Sequence, residues 1–138
     1  MIDIVHAVHD HFNSYYEYLG VSMLSVMENT MEALWFPILC DDLLTSEARR
    51  ALCAMCTRFS QEVVFHAMAP DPRIPVVELL KSGYNEGILY RLYLPKLLPE
   101  MEKLLYLDAD IRGHSPAVGG GAGRLRCCGM LGPALDGP

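Results

Sequence analysis

The chain has 138 residues, 51% hydrophobic and 20% charged, with four Phe, seven Tyr and one Trp, which excludes a disordered, collagenous or coiled-coil polymer. A single domain of that length buries about 70% of the surface that its unfolded chain exposes, enough for a real core. Eleven basic against 17 acidic side chains give a net charge of −6, and no basic stripe is available to displace counterions from a nucleic-acid backbone, so no nucleic-acid partner is expected.

In chain order, Met1-Ile2-Asp3 opens without the basic and apolar regions of a signal peptide, and no apolar run is long enough to cross a bilayer. A cytoplasmic chain with no transmembrane segment is the expectation. Ile2 to Val8 is a short β-branched run ending at His9-Asp10-His11 and reads as a buried strand. Asn13 then offers an N-cap for a helix reaching about Met31, with Tyr15, Leu19, Ser22, Val26 and Asn29 at three-to-four spacing. Leu34 to Cys40 is a second apolar run, which Pro37 pushes toward a sheet edge or a shifted start. Thr45-Ser46-Glu47 caps another helix, whose buried stripe is Ala48, Leu52, Met55 and Phe59. Gln61 to Ala67 is a third strand. Pro70, Pro72 and Pro75 then interrupt the chain, and helices follow over Val77 to Lys81 and Gly87 to Leu98. Lys103 to Leu107 is the last strand, with Asp108-Ala109-Asp110 at its end. Strands separated by helices define βαβ units, an α/β class and a parallel sheet.

Ligands of open α/β sheets bind outside the carboxyl ends of the strands, and two polar clusters fall there: His9-Asp10-His11 and Asp108-Ala109-Asp110. Asp108 and Asp110 are hard oxygen donors for Mn²⁺ or Mg²⁺, and such an ion neutralises a diphosphate. Two carboxylates beside a core also carry a desolvation cost that a cation relieves. His9 and His11 read as loop groups that hydrogen-bond a ligand, and Arg91, inside an apolar helix, as either a surface residue or a partner for phosphate or sugar. The same D-x-D fits the nucleophile and acid of a haloacid-dehalogenase-type phosphatase, although Arg112 stands where that pattern wants Thr or Val. His6 and Cys53-x-x-Cys56 read as core groups rather than zinc ligands, and five Cys, an odd number without a framework spacing, fit reduced thiols.

Four segments, taken together, resemble glycosyltransferase family 8, which includes lipopolysaccharide galactosyl- and glucosyltransferases and the glycogenins. They are Asp3 to Phe12, Leu19 to Val26, Tyr90-Arg91-Leu92, and Leu104-Leu105-Tyr106-Leu107-Asp108-Ala109-Asp110-Ile111. The resemblance implies a GT-A (Rossmann-like) fold, a UDP-sugar donor, a saccharide or glycolipid acceptor, Mn²⁺ (or Mg²⁺), and transfer with retention of anomeric configuration. By position, it implies that Asp108 and Asp110 hold the metal, that Ala7, Val8, His9, Asp10, Phe12 and Ala109 surround the nucleotide, and that Arg91 lies near the donor sugar. In the first loop the family commonly reads Asp-Asp-Asn-Tyr where this chain has His9-Asp10-His11-Phe12. A non-catalytic Rossmann-like nucleotide-binding module is the alternative reading.

Residues 1–111 carry a net charge of −8, whereas residues 112–138 carry +2, hold eight of the eleven Gly and contain no aromatic residue. The second segment reads as an irregular Gly-rich tail. Its sequence lacks the late His-x-x-Gly-x-x-Lys-Pro that the family resemblance implies. The expectation is therefore a donor-binding half over 1–111, with the fold cut after the D-x-D strand, joined to a tail that is not family sequence.

Overall fold

The computed structural model describes residues 1–69, 81 and 87–111. Four parallel strands, β1 (Ile2–Val8), β2 (Leu34–Cys40), β3 (Glu62–Ala67) and β4 (Leu105–Tyr106), form one sheet in the order β3-β2-β1-β4. The connections are α1 (Tyr15–Glu28) between β1 and β2 and α2 (Ser46–Arg58) between β2 and β3. Between β3 and β4 lie α3 (Gly87–Tyr90), a 3₁₀ turn over Arg91–Tyr93, and α4 (Leu94–Leu97). The expected helix over Val77 to Lys81 and the tail over 112–138 lie outside the described residues, apart from helical Lys81.

The period of two along β1 distributes its side chains between two cores. Ile4 and Val8 join Phe36, Ile38 and Cys40 of β2 beneath α1 and α2, where Leu19, Met23, Val26, Ala48, Leu52 and Cys56 complete a buried cluster. Val5 and Ala7 face the other side, against Leu39, Tyr90, Leu94 and Leu98. Because both faces of β1 and β2 are covered, their sequences are nearly continuous apolar runs. His6 lies on the first face, fully buried and stacked on Phe36 with ring centroids 6.2 Å apart. Apart from the Leu107 backbone, neither of its ring nitrogens has a hydrogen-bond partner among the described residues.

Pro37 does not move β2 to an edge: the strand lies between β1 and β3. Its pairing with β3 runs unbroken from Trp35 to Cys40, while the β1–β2 register lapses at Phe36 and Pro37. The missing N–H thus falls on the β1 side, and the sheet tolerates it as a local gap in one ladder. Pro95 has a plainer effect. It lacks the N–H that would bond to the carbonyl of Arg91, and the expected continuous helix is divided there into α3, the 3₁₀ turn and α4.

Helix α1 is shorter than its apolar spacing suggests, and both ends have identifiable causes. Asn13 is not the cap; it takes a left-handed φ of 52°, a conformation that Asn tolerates better than most residues. The capping group is Asp10, whose carboxylate accepts from the backbone N–H groups of Ser14, Tyr15 and Tyr16 at 2.9, 2.9 and 3.0 Å. At the other end the Asn29 side-chain amide donates to the carbonyl of Ser25 at 2.7 Å and stops the helix before Met31. Helix α2 begins as expected, with Thr45 Oγ1 accepting from the Ala48 N–H at 3.2 Å. Its buried stripe is Ala48, Leu52 and Cys56, with Met55 and Phe59 partly covered beside it. Gln61 stands outside β3 and braces the sheet's lower end, its side-chain oxygen accepting from the Leu34 N–H at 2.6 Å.

Two outcomes follow from this packing. Asp10→Ala leaves three N–H groups of α1 without their acceptor and is expected to lower unfolding free energy by about 1–3 kcal/mol in urea titrations. An unchanged midpoint would mean that water caps the helix equally well. Burial lowers the His6 pKa to about 4, with the Leu107 backbone opposing that shift. The folded chain therefore binds fewer protons than the unfolded one, whose imidazole titrates near 6.5. His6 thus contributes stability above pH ~6.5 that is lost as pH falls through about 4, on the order of 3 kcal/mol in all. His6→Leu should flatten the stability profile in this window, and a profile as steep as wild type would remove His6 as its source.

Candidate functional site

The strand order reverses at β1. Successive strands step outward from β1 to β2 to β3, and β4 then returns to pair on the other side of β1. A crevice opens at such a switch point, where the loops leaving adjacent strands run in opposite directions. A cavity of about 320 Å³ occupies that place. Ala7 and His9 supply its β1 wall, and Tyr106, Asp108, Ala109 and Asp110 supply its β4 wall. Tyr15 from the start of α1 and Gly87, Ile88 and Arg91 from the α3 region close it.

The D-x-D geometry follows from alternation after β4. Leu107 and Ala109 point inward and are each 2% exposed, so Asp108 and Asp110 both point outward into the cavity. The Leu107 N–H donates to the Val5 carbonyl at 3.0 Å, and the Ile111 N–H closes a turn onto the Asp108 carbonyl at 3.1 Å. Both carboxylates are solvent-exposed, so desolvation gives no argument for a cation here. Their convergence on one cavity does.

The aromatic hydroxyls around them register this charge. Burial first, then Asp108, pushes the Tyr106 phenol up to about 12; Tyr15 also contributes, Arg91 opposes, and a hydrogen bond to Asp108 adds to the shift. Tyr15 is raised by burial and then by Asp110 and Asp108. The Arg91 guanidinium lies 5.2 Å over the Tyr106 ring, held by its Nε–H donating to the Ile88 carbonyl at 2.9 Å. Arg91 is thus a cavity residue rather than a surface one.

At the opposite wall, Asp41 anchors the site, although its position was not singled out by the sequence. It follows β2 directly and is 9% exposed. Its Oδ2 accepts from His9 Nδ1 at 2.5 Å and from the Tyr90 hydroxyl at 2.8 Å, and its Oδ1 accepts from the Leu43 N–H at 3.1 Å. The signal was present: Asp41 stands at the carboxyl end of a buried strand, where His9 and Asp108 also stand.

Of the residues the sequence places around a nucleotide, Ala7, His9, Arg91, Asp108, Ala109 and Asp110 meet in the cavity. Three do not line it. Val8 is buried in the core under α1, Asp10 is committed to capping that helix, and Phe12 is 85% exposed. The left-handed turn at Asn13 leaves Phe12 outside, with its ring edge-on to His11 at 4.9 Å and His11 stacked on His9 at 6.2 Å. Among the described residues no group of three His, Cys, Asp or Glu side chains forms a metal site, and no helix is long and apolar enough to cross a membrane.

These features define an α/β domain with an acidic cleft at its topological switch point. The sequence model described as glycosyl transferase family 8 matches residues 8–114, most of the chain, and the protein belongs to that family. Among solved structures, apo mouse xyloside xylosyltransferase 1 is similar with a TM-score of 0.54 and 17% identity over 82% of this chain. The match covers 44% of that structure, so the chain spans less than half of its length. The likeness identifies the fold as that of GT-A glycosyltransferases. No curated protein sequence gives a significant match.

One outcome tests the β4 wall. Asp108→Asn removes the charge beside Tyr106 and leaves only a neutral amide oxygen to accept from it, so the Tyr106 phenol should fall from about 12 part of the way toward 10, burial remaining. Tyrosinate absorbance in an alkaline titration, with Tyr106→Phe to assign the signal, reads this directly. An unmoved Tyr106 would show that the two side chains are not coupled.

Proposed function

We propose that residues 1–111 form the donor-binding portion of a retaining hexosyltransferase that takes a UDP-sugar, uses Mn²⁺ or Mg²⁺, and transfers the sugar to a saccharide or glycolipid hydroxyl. The observation that carries this reading is the convergence of Asp108 and Asp110 on the cavity at the β1–β4 switch point. Membership of a glycosyl transferase family favours it over the phosphatase reading of the same D-x-D.

The residues present fit a hard divalent cation. Two exposed carboxylates face one space, and no Lys or Arg among the described residues forms an ion pair with either. When bound, the ion would supply positive charge to the diphosphate and so stabilise the nucleotide as a leaving group. Two protein carboxylates leave further coordination positions for diphosphate oxygens and water. Arg91, fixed beside Tyr106, offers a second cationic group to the diphosphate or the donor sugar. Ala7 is small and 9% exposed, leaving room for a flat base against the end of β1, and His9 stands beside it. The nucleobase then lies at the β1 wall and the diphosphate at the β4 wall. Transfer in such a site depends on electrostatic stabilisation of the departing diphosphate more than on a protein acid or base.

Titration calorimetry with UDP, with and without Mn²⁺, tests the assignment. Asp108→Asn and Asp110→Asn each remove one charge-assisted contact, commonly worth about 1.5–3 kcal/mol, and should weaken Mn²⁺-dependent UDP binding roughly tenfold or more without loss of fold. Equal affinity in wild type and both variants would remove the metal from Asp108 and Asp110.

A further inference from the structure

We propose that Asp41 is a positioning residue that fixes the tautomer of His9 and, through it, selects the nucleobase. The inference rests on the nucleotide-donor reading above and names the group that makes the choice.

Three donors converge on Asp41. A carboxylate is an acceptor only, and this one accepts from the Leu43 N–H, the Tyr90 hydroxyl and His9 Nδ1. His9 must therefore carry its proton on Nδ1. In a neutral imidazole the other nitrogen, Nε2, is then left with a lone pair and no proton. His9 is also a lining residue of the cavity, so Asp41 sets which of its ring nitrogens can accept from a ligand there. A diphosphate has no proton to offer such an acceptor. Uracil does, at N3–H, whereas cytosine presents a lone pair at its N3. The Asp41–His9–Tyr90 arrangement thus favours UDP over CDP through one proton position. The contact spans 32 residues in sequence on one side and 49 on the other, and joins the ends of β1 and β2 to α3.

Asp41→Asn should invert this choice for a definable reason. The Leu43 N–H is a fixed donor, so the amide oxygen must face it and the amide NH₂ must face Tyr90 and His9. A hydroxyl can rotate to accept, and an imidazole can move its proton; His9 then accepts at Nδ1 and donates at Nε2. That state repels uracil N3–H and suits cytosine N3.

Two measurements on the full chain separate the parts of the claim. Nitrogen-15 spectra of the His-labelled chain at pH 8.5, with the His9→Gln variant to assign the signal, report the tautomer without any nucleotide. Wild type is expected to show the proton on Nδ1, and Tyr90→Phe to retain it. A proton on Nε2 in wild type overturns the proposal even if Asp41→Asn proves too unstable to purify. Calorimetry with UDP and with CDP in Mn²⁺ then reads selection. The UDP-to-CDP affinity ratio is expected to fall at least tenfold in folded Asp41→Asn, because an unpaired polar group at a recognition point costs about that much or more. An unchanged ratio overturns selection by His9, while wild type binding neither nucleotide overturns the donor reading and the selection built on it, with the tautomer still decided by the spectra.

Discussion

Parallel pairing on both sides of β1 is the constraint on which the site depends. It aligns β1, β2 and β4 so that their carboxyl ends lie at one edge of the sheet, and it brings together residues far apart in the chain. His9, Asp41 and Asp108 each follow a different strand, and none could meet the others without that alignment. The two cores serve it in turn. Apolar side chains above and below β1 and β2 make any shift of register by one residue prohibitive, since it would exchange the faces of Ile4 and Val5.

Much of this arrangement is legible from the sequence, for reasons that differ between elements. Strands β1 and β2 have the limits their apolar runs indicate, because both faces are covered and Asp3 and His6 are the only polar side chains inside them. The position of β2 was harder to read. Pro37 argues for an edge when only its missing N–H is considered, but a parallel strand presents successive N–H groups to alternate neighbours, and one gap in one ladder is a small loss. The limits of α1 depend on Asp10 and Asn29, side chains that bond to backbone several residues away and leave no mark in apolar spacing.

The site divides along the same line. Placement at strand ends brings His9, Asp108 and Asp110 to the cavity, since that rule needs only element order. Phe12 looked like a stacking group by its chemistry, yet the backbone turn after it sends it into solvent. Asp41 and Tyr90 acquire meaning only when the β2 end and α3 are seen to meet beside His9. Two carboxylates and one guanidinium leave the cavity short of positive charge, and the carboxylates add to the rise that burial already gives the Tyr15 and Tyr106 phenols.

The three-residue run His9-Asp10-His11 contains two kinds of residue interleaved. Asp10 belongs to the helix, its carboxylate gripping three N–H groups at the start of α1. Its two neighbours belong to the loop's outer side, one of them on the cavity wall. A peptide segment built this way can change what it presents to the cavity without changing how it is held. Position 9 can change, together with a matching exchange at position 41, while position 10 keeps the loop spliced to the helix throughout. Cavity lining and architecture therefore occupy adjacent residues and can vary independently.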